Sequence, residues 1–432
     1  MNSPAIPFQT LAGKCRWLVL AMLCAATAGA DDWPQWRGLN RDAVWNETNT
    51  IKLFPADRLK TSWRAPVGTG FSSPVVAHGR VFVADAKISR AKANERVLCF
   101  DAKSGQALWT HSYPVDYAEW AFDPKNPFGP RPTPIVDVSR VFTLGARGHL
   151  FCLDTRNGTV VWKKKLANKS KDSTFTPSPL IESNLLILVL DGLPPGPCVV
   201  ALDKNSGKEI WKAIDEPATM SSPIVVTAAG KRQLIVWTEG AMNSLDPLTG
   251  KLYWRERYPG ASTYAIPTPV SHGDLLLVNG VMFKLDHEKP GASVLWPDGR
   301  PPSRQTSSDT SAPMLQGDHL FACNLSGALV CAEAKTGRIV WETNHVTKST
   351  SGASIHITRN GNSALLFTDN GDLIRAQLAP EGYREISRAR LLNPTYPFGG
   401  KKCAWTPPAY ANGHVFARTD EEVVCASLMA TP

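Results

Sequence analysis

The short signatures of several enzyme classes are missing from this chain. It has no phosphate-loop glycine pattern, no nucleophile elbow and no His-Glu-x-x-His, which sets aside the P-loop, α/β-hydrolase and zincin readings. No Cys-x-x-Cys stands with a matching His pair, so a zinc site is not expected. The nine His, with His78, His111 and His149 among them, are scattered without ligand spacing. Seven cysteines follow residue 30 (Cys99, Cys152, Cys198, Cys323, Cys331, Cys403 and Cys425), and an odd number does not suggest a disulfide framework. Beyond residue 30 there is no long helical periodicity and no apolar run of membrane-spanning length. Charge blocks are absent too. Lys+Arg number 47 against 38 Asp+Glu, and with Lys14 and Arg16 set aside the remainder carries +7. Small clusters such as Lys163-Lys164-Lys165 and Lys401-Lys402 read as solvated strand edges that discourage aggregation, so nucleic acid is not an expected partner.

What the chain does have is Pro (34) and Gly (32), spread evenly through 432 residues of which 43% are hydrophobic. That is ample for a large core, and the even punctuation predicts many short strands joined by turns. The chain reads as all-β. Its first thirty residues are a separate object. Lys14 and Arg16 precede an apolar run from Trp17 to Ala26, and Ala28-Gly29-Ala30 supplies small residues before Asp31-Asp32. This is the order of a secretory signal, with cleavage expected after Ala30 and a secreted or periplasmic product. A lipid-anchored reading would use Cys24, but Leu23 is a poor residue directly before a lipidated cysteine.

One phrase recurs and decides the fold. LCFDAKSGQALW ends at Trp109 and LFCLDTRNGTVVW at Trp162; VVALDKNSGKEIW ends at Trp211 and NSLDPLTGKLYW at Trp254. VCAEAKTGRIVW ends at Trp341 with Glu333 in the acid position, and FKLDHEKPGASVLW, two residues longer, ends at Trp296. In the five regular copies the acid (Asp101, Asp154, Asp203, Asp246, Glu333) stands eight residues before the Trp. The pattern is that of a tight β-hairpin. Asp caps the turn through backbone N–H groups, and Gly (Gly105, Gly158, Gly207, Gly250, Gly337) supplies the positive φ that closes it. The following strand ends in a large ring able to cover the seam between sheets.

A Ser/Thr/Pro-rich start precedes each phrase, with its Pro at Pro74, Pro134, Pro179, Pro223, Pro269, Pro313 and Pro408, and a Pro-less copy begins near Ser354-Ile355. Counting that copy gives eight units, most of them 42 to 46 residues apart. Four short strands fit each unit, as in a propeller blade. The expected fold is therefore an eight-bladed β-propeller of four-stranded antiparallel blades over residues 61–432, with residues 31–60 packed on it. The eighth copy, VFARTDEEVVCASL, stops without Gly and Trp; its missing outer strand is expected from LKTSWRAP, with Trp63 as the absent Trp. Closure by strands from both ends removes exposed edges. The seventh copy has Leu378 for Asp and Ile386 for Trp and is expected to pack less regularly.

The phrase resembles the tryptophan-docking repeat of the pyrroloquinoline-quinone-repeat propellers, small–x–Asp–x–x–x–Gly–x–x–x–Trp, across nearly all of residues 61–432. The resemblance implies that each Trp stacks over the next blade's turn. It also implies that Cys99, Cys152 and Cys331 fill a position usually held by Ala, as small buried thiols in separate blades. Cys323 and Cys331 are close enough in sequence to face each other across one hairpin. DDWPQWRGLNRDAVW resembles the opening of many secreted members, and Trp33, Trp36 and Arg37 are expected to lash it to the outside of the ring. The tryptophan–aspartate propellers fit less well, since no docking Trp is followed by Asp.

The resemblance leaves two kinds of function. One is a quinoprotein oxidoreductase holding pyrroloquinoline quinone and Ca²⁺ in the central funnel; the other is a cofactor-free scaffold similar to the outer-membrane assembly lipoprotein. The chain lacks the adjacent cysteines that many alcohol-oxidising quinoproteins place over the quinone, and no convergent Glu, Asn and Asp set stands out for Ca²⁺. The scaffold, a monomer with a protein partner or small ligand at the funnel face, is the leading reading. Ligand candidates at the funnel mouth are Arg131, Tyr264, Asp309 and Trp405, the charged or aromatic residues three to five positions before a hinge Pro. The alternative is an ordinary water-filled polar channel. The hydroxyls Ser73, Thr133, Ser178, Ser222 and Thr268 read as turn caps. The insertion between Trp109 and Pro134, with Tyr113, Tyr117, Trp120, Phe122 and Phe128, reads equally as a lid or partner surface and as a cover for the first two blades.

Overall fold

Short strands punctuated by Gly and Pro form eight four-stranded antiparallel sheets. The computed structural model describes Met1 and residues 31–430 except 90–91, 168–169, 171, 192–195, 259–264, 299–301, 349 and 351. The expected leader, with Cys24, and the candidate Tyr264 lie outside the described residues. From axis to rim the first blade has strands Val75–Ala77, Arg80–Ser89, Lys92–Asp101 and Ala107–Val115. The later blades begin with innermost strands Ile135–Asp137, Leu180–Glu182, Ile224–Ala228, Val270–His272, Met314–Gln316, Ile355–Asn360 and Ala409–Ala411. Innermost strands of successive blades lie beside one another and ring the axis. The eighth blade takes its outermost strand, Thr61–Pro66, from the N-terminal side, paired antiparallel with Glu422–Ser427. The ring is therefore closed by strands from both ends of the propeller, as the incomplete eighth phrase predicts.

Tryptophan docking holds neighbouring blades together. The indole N–H of Trp63 donates to Ala102 O at 2.9 Å, Trp109 to Thr155 O at 3.0 Å and Trp162 to Lys204 O at 2.9 Å. Trp296 donates to Ala334 O at 2.7 Å and Trp341 to Ala379 O at 2.8 Å. In each case the acceptor follows the acid position of the next blade. The turn glycine is required twice over: at Gly105 φ is +73°, and an added Cβ would stand 2.5 Å from the Trp63 ring. The Trp211 ring covers Gly250 in the same way, although its buried N–H finds no acceptor. Trp254 is the exception, donating to Gln233 Oε1 of its own blade at 2.8 Å. The turn it faces is the expanded one at Asp286–Gly291, and the extra residues account for the lost acceptor.

Opposite all but one of these Trp, the partner strand carries a small residue next to a bulge; Trp296 stands opposite Met282 instead. Trp63 faces Cys425, Trp109 Cys99, Trp162 Cys152 and Trp341 Cys331, while Trp211 faces Ala201 and Trp254 Ser244. A small side chain leaves room for the ring, and the bulge turns the Trp toward the next blade. All seven described cysteines are free and buried. Burial pushes the Cys99 and Cys152 thiols up to about 12. Cys331 stands opposite Phe321, not Cys323.

The acid of the phrase caps its turn where it is Asp: Asp101 Oδ1 accepts the Ser104 N–H at 2.8 Å and Asp203 Oδ1 that of Ser206 at 2.8 Å. Glu333 is one methylene longer and takes the Thr336 hydroxyl at 2.6 Å instead. Two expectations need correction. The seventh blade is not irregular: its strands run six, six, eight and nine residues, and Trp341 of the sixth blade still docks on it. Three of the hydroxyls before the hinge prolines, Thr133, Ser178 and Ser222, do not cap their own turns but join blades. Ser73 N donates to Thr133 Oγ1 at 3.0 Å, Thr133 N to Ser178 Oγ at 3.0 Å and Ser178 N to Ser222 Oγ at 2.9 Å. A backbone N–H near the axis cannot be satisfied within its own blade, and the next blade's hydroxyl supplies the acceptor.

Candidate functional site: a plugged central funnel

The segment 31–50 does not lie outside the ring. It crosses the central channel, because innermost strands leave one backbone edge unpaired and a polar edge facing an apolar bore needs partners. Trp33 N donates to Val76 O at 2.8 Å, Val76 N donates back to Trp33 O at 2.9 Å, and Val136 N donates to Pro34 O at 2.8 Å. On the far side Trp45 N donates to Arg359 O and Arg359 N to Ala43 O, both at 2.9 Å. Between them the chain doubles back through Arg37, Gly38, Arg41 and Ala43, all with positive φ. Arg41, 3% exposed, donates to Pro179 O at 2.6 Å and Ser178 O at 3.2 Å. Burial pulls its guanidinium down to about 9 and that of Arg37 to about 10. Trp33 and Trp45 pack at 5.6 and 5.5 Å on Tyr410 of the eighth blade. The chain itself therefore crosses the channel, so the bore is not the open polar channel of the alternative reading from sequence.

The plug divides the bore into two cavities. Asn40, Arg41, Asp42 and Val44 floor the smaller one, of about 140 Å³ and walled by Val225, Ser271, His272 and Leu315. On the opposite face Trp36 floors a cavity of about 250 Å³. The Trp36 indole donates to Thr268 Oγ1 at 2.8 Å. The wall of the larger cavity obeys one register. Phe71, Arg131, Thr176, Met220, Ile266, Thr310 and Trp405 all line it, and each stands three residues before a hinge Pro. Ser178 and Ser222, one residue before theirs, line it as well, as alternation along an extended chain requires. The Pro-less seventh blade contributes His356.

Of the sequence candidates, Arg131 and Trp405 reach this cavity. Arg131 donates to Thr174 Oγ1 at 3.0 Å and lies 5.2 Å from the centroid of the Phe128 ring. Trp405 donates to Gly352 O at 2.7 Å, and its own carbonyl accepts from His356 Nε2 at 2.7 Å. That bond leaves the proton on Nε2, and burial holds the ring neutral by pulling its pKa down to about 4. Asp309, four residues before Pro313, is exposed and does not line the cavity; Thr310 does. Sequence reasoning missed Trp36, Phe71, Tyr396 and His356. Phe71 satisfies the three-before-Pro rule and was legible. Tyr396 comes from a short hairpin, Tyr396–Phe398 with Lys401–Cys403, that has no counterpart in the repeat. It packs on Phe71 at 5.0 Å and Trp405 at 5.1 Å, while Phe398 meets Trp405 at 4.6 Å and stays 40% exposed. The aromatic insertion before Pro134 joins this face, Tyr396 Oη donating to Asn126 Oδ1 at 3.0 Å. Most of its rings cover the first two blades: Tyr113 and Tyr117 donate to the buried Glu95 carboxylate at 2.6 and 2.7 Å, and Phe128 is buried. Trp120 remains 38% exposed.

A family model described as outer membrane protein assembly factor BamB matches residues 93–193 and 196–425. The chain belongs to that family. Within it, the BamB of Burkholderia pseudomallei is 25% identical over 226 residues, 49% of this chain and 54% of its own length, so the match spans about half of that relative. The crystal structure of BamB from Moraxella catarrhalis superposes with a TM-score of 0.60 at 17% identity, covering 87% of this chain and 99% of that one. The quinohemoprotein alcohol dehydrogenase of Comamonas testosteroni superposes with a TM-score of 0.64 at 12% identity, covering 93% and 81%. At these identities the superpositions establish the fold, a pyrroloquinoline-quinone-like propeller. No helix among the described residues is long and apolar enough to cross a membrane.

The described residues do not fit the quinone and Ca²⁺ that this fold holds in its enzymes. The cavity wall offers a single guanidinium and no carboxylate, whereas Ca²⁺ needs several hard oxygens converging on one point. The nearby carboxylates are already engaged. Asp191 accepts from Thr176 N at 3.0 Å, Asp369 pairs with Lys401 at 2.7 Å and Asp420 accepts from Gly70 N at 3.2 Å.

Proposed function

We propose that this chain is a secreted or periplasmic binding scaffold that engages a protein partner through its funnel face, in the service of outer-membrane protein assembly. One observation carries the reading: a ring of apolar, aromatic and hydroxyl side chains stands over a floor that the chain itself supplies. Such a cavity is built to bury a partner's side chain rather than to polarise a bond. The half-exposed rings Phe398 and Trp120 extend it outward. Membership of the assembly-factor family supports a protein as the occupant.

The test has two arms. A photo-crosslinking residue in place of Phe398 or Trp120 is expected to capture an envelope protein, while one at exposed Val138, on an innermost-strand turn, captures none. Calorimetric titration with pyrroloquinoline quinone and Ca²⁺ is expected to give no heat. Micromolar binding abolished by Arg131→Ala would replace the scaffold with a quinoprotein oxidoreductase acting on alcohols or sugars.

A further inference from the structure

The plug is held at its entrance by one carboxylate. Glu47 Oε1 accepts from the backbone N of Asp31 at 3.2 Å, and Glu47 Oε2 accepts from Gly413 N at 2.6 Å, in the innermost turn of the closing eighth blade. The Glu47 carbonyl is fixed in turn, accepting from Asn360 Nδ2 at 2.8 Å. Glu47 thus ties the start of the plug, its far end and the last blade at one point. Asp31 is also the residue that follows Ala28-Gly29-Ala30, the small-residue run after the apolar stretch. Two independent observations meet at one bond.

We propose that the chain is cut between Ala30 and Asp31, and that the α-ammonium released at Asp31 is captured by Glu47. Hydrolysis of that amide by water leaves a carboxylate on Ala30 and an amine on Asp31, which is protonated at neutral pH. Before the cut, Asp31 N is a single neutral donor to Glu47. After it, the same atom carries three donors and a positive charge, and a hydrogen bond becomes a charge-assisted ion pair. The charged groups around it are the carboxylates of Asp31 and Asp32, with His78 beside Asp32 at 3.9 Å, and His414 next to Gly413. Maturation and plug seating are then one event. The strand pairing of Trp33 with Val76 begins only two residues further on, so a firmly held terminus sets its register.

The experiment uses the full chain, exported and processed, beside the same chain made without export so that residues 1–30 stay attached. Intact mass of the exported protein is expected to begin at Asp31. At pH 7 the Asp31 amine of the processed protein is expected to react with an acylating reagent about tenfold more slowly than that of its Glu47→Gln variant, since a one-unit rise in amine pKa lowers the neutral fraction tenfold. Glu47→Gln is further expected to lower the melting temperature of the processed protein by several degrees, with less than half that effect in the unprocessed chain. A mature mass starting at Cys24 with attached acyl chains would overturn the proposal. So would equal amine reactivity in the two processed proteins, or equal melting shifts in both forms, which would leave Glu47 as a backbone cap for Gly413.

Discussion

Gly79 and Gly105 permit a test of tryptophan docking in which backbone strain cancels. Both lie in turns of the first blade with nearly equal torsion, φ +71° and +73°. Around Gly79 nothing lies within 4 Å of an added Cβ, whereas at Gly105 that Cβ would sit 2.5 to 2.8 Å from three atoms of the Trp63 ring. Gly79→Ala therefore measures the left-handed backbone penalty alone, about 1 kcal/mol. Gly105→Ala adds displacement of a ring that also donates to Ala102 O, and forced overpacking costs about 1–3 kcal/mol more. The displaced strand, Thr61–Pro66, closes the ring, so the loss appears at the seam between the eighth and first blades. Urea unfolding midpoints of the two variants give the difference, and protease cleavage near Lys60 reports loosening of the closing strand. The Gly105→Ala midpoint is expected well below that of Gly79→Ala, with faster cleavage only in the former. Equal midpoints and equal cleavage would refute the view that the ring over Gly105 holds the propeller shut.

Two groups beside the funnel, the partly exposed Asp191 and the buried His356, give opposed pH dependences. Burial raises Asp191 to about 7, so the folded state keeps a proton the unfolded chain releases; its contribution, roughly 4 kcal/mol, is complete below pH 3.8 and lost as pH rises to 7. Burial lowers His356 to about 4, so the folded state refuses a proton; its contribution, about 3 kcal/mol, stands above pH 6.5 and is lost as pH falls to 4. Urea midpoints at pH 4 to 7 are expected to rise with pH in Asp191→Asn, fall in His356→Gln and stay flatter in the parent. Trp36→Ala removes the floor of the funnel and the bond to Thr268, costing about 2 kcal/mol for a partly exposed ring; amide exchange in residues 32–45 should accelerate at least tenfold while the outer strands are unchanged.

How legible the molecule was depends on whether a feature repeats. The acid, Gly and Trp recur at fixed spacing because each blade must meet the next in the same way, and the unfinished eighth phrase even identified Trp63 as the closing ring. The cavity wall repeats too, at the third residue before each hinge Pro, but its side chains differ from blade to blade. A window of three to five residues caught Arg131 and Trp405, yet it also admitted Asp309, which the alternation of an extended chain turns outward. The hydroxyl belt was seen as a composition but misread, since a bond from Ser73 to Thr133 joins residues 60 apart in sequence. Nothing local marks the plug. Its backbone pairs with Val76, Val136 and Arg359, which lie in the first, second and seventh blades, and Trp33, Trp36 and Arg37 look alike whether they pack inside a ring or outside it.

Closure at the rim and filling at the axis are both done by residues 31–66, and the two tasks support each other. A ring of eight blades leaves two sets of unpaired strand edges, the outermost where the ring closes and the innermost along the bore. Thr61–Pro66 covers the first, on the outer edge of Glu422–Ser427. Residues 33–45 cover part of the second, on the first, second and seventh blades. Residues 50–58 join these two parts, touching Met429 and Arg390 on the way. A pull on the plug is therefore a pull on the closing strand, and a partner that buries a side chain against Trp36 presses on both. The bore is thus taken up by the segment that closes the ring, while Phe398 and Trp120 stay 40% and 38% exposed on the funnel face beside Tyr396 and Trp405.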